Sequence, residues 1–139
     1  DHRDLHSFPT RRSSDLRLWD TALEAYERCV KALRAGATSE DVLDAADVIA
    51  ERGFTINDGF MHGFGIGLLP PSISSRESAA RRGPPGPLFN FQENMCVVVQ
   101  PNIVTPDERA GVQLGNLLRI TRDGAECLHR LPLQYYLIA

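Results

Sequence analysis

The sequence predicts an α+β chain in which two helices precede, and pack on, an antiparallel sheet. Two observations carry this. Between Arg17 and Arg52 the apolar residues recur at three- and four-residue spacings, the period of a helix with one buried face. Beyond Gly53 the period changes to short apolar runs broken by Gly, Pro, Asn and Asp, the punctuation of strands and turns.

The first helix spans Arg17 to Ala35. Leu18, Ala22, Ala25, Tyr26, Cys29, Val30 and Leu33 form its apolar face, and Glu24, Glu27, Arg28 and Lys31 its polar one. Glu27 and Lys31 make a supporting i,i+4 pair, and Gly36 stops the helix. A second helix starts after Thr38 or Ser39, either of which can cap free amides, with Glu40 and Asp41 at the positive end of the helix dipole. It runs to about Arg52, burying Val42, Ala45, Ala46 and Ile49, until Gly53 ends it.

Phe54 to Asn57 and Gly59 to Phe64 are extended candidates. Leu69 to Leu88 carries Pro70, Pro71, Pro84, Pro85 and Pro87 and is expected to be a long irregular loop. Arg76, Arg81 and Arg82 make it basic, as either a solvated loop or an anion-binding lid. Met95 to Gln100 is an apolar run of strand length, interrupted by Pro101-Asn102. Thr105 to Arg109 is turn chemistry. Val112 to Leu114 and Leu117 to Thr121 are strands split by Gly115-Asn116. Arg122-Asp123-Gly124 then turns the chain, and Ala125 to Leu128 pairs back.

At 139 residues, 42% apolar and 24% charged, the chain suits one ordinary soluble domain. A net charge of −3 gives no basic face for nucleic acid, and no apolar run reaches the length of a membrane span. Cys29, Cys96 and Cys127 form no close pair and read as reduced thiols of a cytoplasmic protein.

Asp1 to Leu16 stands apart. It has no helical or strand period, and it resembles a frame translation of a common sequencing-adapter oligonucleotide over all its positions. It is expected to be a disordered artefact outside the domain, which begins at Arg17, with authentic upstream sequence missing. His2 and His6 leave with it, so His62 and His129 are the histidines that matter. His129 has no motif role and reads as a surface or packing residue. The apolar tail Tyr135-Tyr136-Leu137-Ile138 is expected to pack on the sheet.

The chemistry centres on Met61-His62-Gly63-Phe64-Gly65-Ile66-Gly67, where alternate glycines allow close backbone approach around a histidine. His62 is a candidate acid, base or metal ligand; the plainer reading is a hydrogen-bonded histidine in a glycine-kinked strand. Four segments in order resemble the pita-bread family of methionine aminopeptidases, Xaa-Pro aminopeptidases, prolidases and creatinase. "ALRAGATSEDV" resembles its inter-helix segment and "HGFGIG" its metal-histidine strand. "ENMCVVVQPNI" resembles the strand that carries its first glutamate, and "GVQLGNLLRITRDGAECLHRLP" its closing hairpin. The likeness covers Arg17 to Pro132 and implies a partial pita-bread fold, the C-terminal portion of a peptidase-like domain.

The resemblance also implies a dinuclear site of two Asp, one His and two Glu. His62 falls on the metal histidine, but Gln100 and Gly115 fall where the two glutamates belong. Leu69 falls on a second, substrate-facing histidine, and the two Asp would lie upstream of Arg17. What survives would hold one divalent ion (Mn, Co or Zn) or none.

Three functions follow from the resemblance. One is a divergent Xaa-Pro-aminopeptidase-like hydrolase with a degraded metal site, His62 moving protons while Gln100 and Asn116 orient substrate. The second is a non-catalytic peptide- or protein-binding module. The third is a conventional metal-dependent Xaa-Pro peptidase with ligands drawn from outside the motif register, such as Glu93 or Glu108. The expected partner is a peptide or small amide, with no nucleic acid or membrane, and a homo-oligomer is left open.

Overall fold

The computed structural model describes residues 11–77 and 88–135. Helix α1 (Arg11–Ala32) is followed by α2 (Ser39–Ala46) and α3 (Val48–Glu51). Eight strands follow: β1 (Thr55–Ile56), β2 (Met61–Phe64), β3 (Leu68–Ile73), β4 (Cys96–Val99), β5 (Asn102–Val104), β6 (Gly111–Gln113), β7 (Asn116–Ile120) and β8 (Ala125–Cys127). All pairings are antiparallel, in a five-stranded sheet ordered β3-β2-β4-β7-β8 and a three-stranded sheet ordered β1-β5-β6. The expected α+β layout, helices first and antiparallel strands after, is the one observed.

The long helix α1 lies against α2, α3, β4, β5 and β6. Leu18, Ala22, Ala25, Cys29 and Leu33, the stripe read from the sequence, are all buried against Val97, Val99, Ile103 and Leu118 from the strands. Burying a large apolar side chain such as Leu18 or Leu33 here contributes roughly 1.5–3 kcal/mol.

Several boundaries differ from the sequence reading. Helix α1 begins at Arg11 rather than Arg17, so 11–16, expected to lack structure, is helical. A helix nucleated downstream extends at little cost, because each added residue contributes one hydrogen bond. Residues 1–10 of the same segment lie outside the described residues.

The expected second helix is broken at Asp47 into α2 and α3. Its start is as foreseen. Thr38 Oγ1 accepts from the Asp41 amide at 3.3 Å while the Asp41 carboxylate accepts from the Thr38 amide at 2.7 Å, a complete capping box. The Thr38 amide, and the Thr38 hydroxyl donating to the same Asp41 Oδ2 at 2.8 Å, hold the Asp41 carboxyl below the usual carboxylate range.

The proline-rich loop begins later than expected. Leu68–Ile73, with the cis Pro70–Pro71 bond, is the edge strand β3. An edge tolerates proline because one side of the strand needs no ladder donors. The pairing runs Met61 with Ile73 and His62 with Ser72, then Gly63 with Leu69, so Pro70 and Pro71 bulge out of register. Arg76, considered for an anion lid, is clamped by Glu40 at 2.9 Å, by Asp47 at 3.4 Å and by Asp44. Arg81 and Arg82 lie outside the described residues.

Strand β5 has no clear signal in the sequence, because the short Asn102-Ile103-Val104 run lies between Pro101 and a turn. That turn closes the β5–β6 hairpin, with the Thr105 amide donating to the Ala110 carbonyl at 2.8 Å. Tyr135 packs edge-to-face on Trp19 of α1 at 5.5 Å, and 136–138, the rest of the tail expected to pack on the sheet, lie with 139 outside the described residues. Among the described residues no helix is long and apolar enough to cross a membrane.

Candidate functional site

Alternation along the strands sets the site. His62 on β2 is opposite Val98 on β4, which is opposite Leu117 on β7, and all three are half-buried on one face. The neighbouring row, Met61, Val99 and Asn116, is buried on the other face, toward the helices. Gly63 permits this arrangement, since a Cβ there would lie 2.3 Å from the Pro70 carbonyl oxygen. His62 Nδ1 lies 3.0 Å from the Gly63 carbonyl, which can only accept, so Nδ1 carries the proton.

Gln100 follows β4, its amide donating to the Phe60 carbonyl at 2.7 Å. Gly115 precedes β7 and sits against it. A Cβ at Gly115 would lie 2.2 Å from the Val99 oxygen and 2.6 Å from Gln100 Cα. Asn116 opens β7 at 7% exposure. Its Nδ2 donates to Tyr26 Oη on α1 at 3.1 Å, and its Oδ1 accepts from His129 Nδ1 at 2.7 Å. Burial raises the Tyr26 hydroxyl above its ordinary pKa; the Asn116 hydrogen bond opposes this, and the nearby Cys127 thiol adds to it.

These residues meet at a cleft of about 490 Å³ lined by Phe64, Val98, Gln100, Gln113, Leu114, Gly115, Asn116, Leu117 and His129. Three positions singled out from the motifs, 100, 115 and 116, are thus brought together. His62 sits one strand away, opposite the cleft residue Val98, and is not among the lining residues. Leu69, on β3, is also outside the lining and is exposed at 49%. Glu93 and Glu108, the alternative ligands, are exposed and do not line it either, Glu108 lying in the β5–β6 turn.

His129, read from the sequence as a surface or packing histidine, is an exposed residue that also lines the cleft, carried there because the β7–β8 ladder continues through the Leu128 amide to the Leu117 carbonyl at 2.9 Å. The only sequence signal was its place two residues beyond a strand that pairs with the motif strand.

The cleft wall holds amides, one imidazole and apolar side chains, with no carboxylate, ammonium or guanidinium among its lining residues. Among the described residues no group of three or more His, Cys, Asp or Glu is placed to hold a metal ion.

Helices laid against antiparallel sheets, with a cleft at the histidine strand and the closing hairpin, define a pita-bread peptidase-like protein. The profile of Metallopeptidase family M24 matches residues 7–122, and the chain belongs to that family. An uncharacterized peptidase of Staphylococcus saprophyticus is 29% identical over 114 residues, covering 80% of this chain and 30% of that one. The prolidase from Pyrococcus furiosus superposes with a TM-score of 0.70 at 24% identity, covering 91% of this chain and 35% of that one. The X-Pro aminopeptidase from Thermotoga maritima does so with a TM-score of 0.70 at 24% identity, covering 94% and 35%. The chain therefore spans about a third of the length of these three relatives, and at these identities the superpositions speak for the fold alone.

Proposed function

We propose that this chain is part of a divergent pita-bread hydrolase whose cleft binds a peptide or small amide and which has lost the two-metal centre. The observation that carries the reading is the 2.2 Å approach between a Cβ at Gly115 and the Val99 oxygen. The position that resemblance assigns to a glutamate has no room for any side chain on this backbone. Gln100, at the other glutamate position, is neutral.

Two divalent ions bring four positive charges, and the donors this chain offers near the cleft, His62, Gln100, Asn116 and His129, are all uncharged or cationic. Such a set does not fit a dinuclear hydrolytic centre, because unbalanced charge in a partly buried cleft is costly. In the hydrolase reading His62 handles the proton and the amides of Gln100 and Asn116 orient the scissile group.

A second reading, a non-catalytic peptide-binding module, is favoured by the position of His62 outside the cleft wall. The test is calorimetric titration of Mn²⁺, Co²⁺ and Zn²⁺ into the full-length protein that carries this chain, with assay of Xaa-Pro peptide cleavage. The expected result is weak binding of fewer than two ions and no metal-dependent cleavage. Two tightly bound ions with metal-dependent cleavage would establish the conventional peptidase instead. Full-length protein that binds peptide without cleaving it under any condition would favour the binding module.

A further inference from the structure

The cleft holds a histidine that the family resemblance does not use. We propose that His129, held by Asn116 and Tyr26, is the imidazole that meets the ligand, presenting Nε2 to an uncharged peptide amide. The inference rests on the reading of the cleft as a peptide-binding site.

Three observations carry it. First, His129 is part of the cleft wall, whereas His62 turns its Nδ1 back to the adjacent Gly63 carbonyl at 3.0 Å and is not. Second, the imidazole is fixed. The Tyr26 hydroxyl donates to Cys127, which leaves Oη to accept from Asn116 Nδ2 at 3.1 Å and turns Oδ1 toward His129 Nδ1 at 2.7 Å. A carbonyl oxygen only accepts, so Nδ1 carries the proton and Nε2 is left with a lone pair. The Asn116 amide is 7% exposed, and helix α1 holds it from behind, so the imidazole is braced by a rigid element rather than by a loop. The Cys127 thiol adds a contact to the His129 carbonyl at 3.5 Å, anchoring the backbone of the same segment.

Third, the surrounding wall selects the ligand class. Gln100 and Gln113 offer amides, and Phe64, Val98 and Leu117 offer apolar surface. Amide donors and acceptors pair with a peptide group, and no lining residue brings a carboxylate, ammonium or guanidinium to form an ion pair with a charged chain end. Nε2 then accepts from a ligand N–H. Asn116 and Tyr26 are positioning residues that act through His129.

The test uses the chain labelled with ¹⁵N-histidine. Long-range ¹H–¹⁵N spectra separate the two imidazole tautomers. His129 is expected to be mainly Nδ1–H, against the Nε2–H form usual for free histidine, and Asn116→Ala should return it to Nε2–H. If that variant does not fold, Tyr26→Phe decides, because it frees the amide to flip and should lower the Nδ1–H fraction. A His129 that is mainly Nε2–H in the unaltered chain overturns the proposal.

Ligand contact is read by diethyl pyrocarbonate acylation, mapped to each histidine by mass spectrometry, with N-acetyl-leucyl-alanine amide as the probe. Saturating peptide should slow acylation of His129 at least threefold. Protection of His62 alone would overturn this inference while leaving peptide binding in place. Protection of neither histidine would remove the cleft reading, and this inference with it.

Discussion

Gly115→Ala should be among the most damaging single-methyl additions available in this chain. The added Cβ would sit 2.2 Å from the Val99 carbonyl oxygen, 2.6 Å from Gln100 Cα and 2.7 Å from Gln100 Cβ. Comfortable contacts between heavy atoms lie at roughly 3.5 Å, so the overlap is about 1 Å. Two of the three atoms are backbone and cannot rotate aside. Relief requires moving the β4 end, where Val99 pairs with Asn116. Overpacking costs about 1–3 kcal/mol, and a clash against paired backbone belongs at the upper end. A loss of about 3 kcal/mol changes the folded-to-unfolded ratio more than 100-fold. For a chain of this size it lowers the melting temperature by roughly 10 °C. Gly124→Ala is the control, since a Cβ there meets nothing within 4 Å and Gly124 is not at positive φ. It should stay within about 0.5 kcal/mol of the parent. Both variants are compared by urea denaturation at matched protein concentration. Gly115→Ala and Gly124→Ala falling within about 0.5 kcal/mol of each other would refute the reasoning. So would Gly115→Glu restoring tight metal binding, because that side chain needs the same space.

Other outcomes follow from single features. Thr38→Ala removes the hydroxyl that caps α2 and should cost about 1 kcal/mol in the same denaturation assay, with Thr38→Ser recovering most of it. The buried Cys29 thiol is pushed up to about 12 from its ordinary 9.0. Its folded value is the raised one, so its contribution to stability is complete below about pH 9 and is lost as pH rises toward 12. Urea midpoints from about pH 8 to 11 should therefore fall more steeply in the parent than in Cys29→Ala, and parallel curves would count against this. Deleting residues 1–16 should change stability by less than ~1 kcal/mol, since among the residues whose burial is described the core begins at Leu18. A larger loss on calorimetry would mean that the N-terminal extension of α1 is structural.

Most of the local structure is legible in the amino-acid sequence. The stripe from Leu18 to Leu33, the capping residues Thr38 and Asp41, the apolar run at β4 and the turn at Arg122-Asp123-Gly124 were all legible. Each depends on residues a few positions apart, and the propensity of a helix, a cap or a turn is settled over that distance. Where neighbours dominated less, the reading slipped. The prolines concealed β3, because only its place at a sheet edge makes them tolerable.

The cleft depended on distance. Asn116 and Tyr26 are 90 residues apart in sequence, and His129 joins them only because β8 pairs with β7 in one register. A shift of one residue would send every side chain on that strand to the opposite face. Motif order did locate Gln100, Gly115 and Asn116, but not that Gly115 is packed against the Val99 carbonyl, nor that His62 stands one strand outside the cleft wall. Composition and period fix which segments can form. Which side chains then meet is fixed by strand order and register, which arise when distant segments bury a common apolar face.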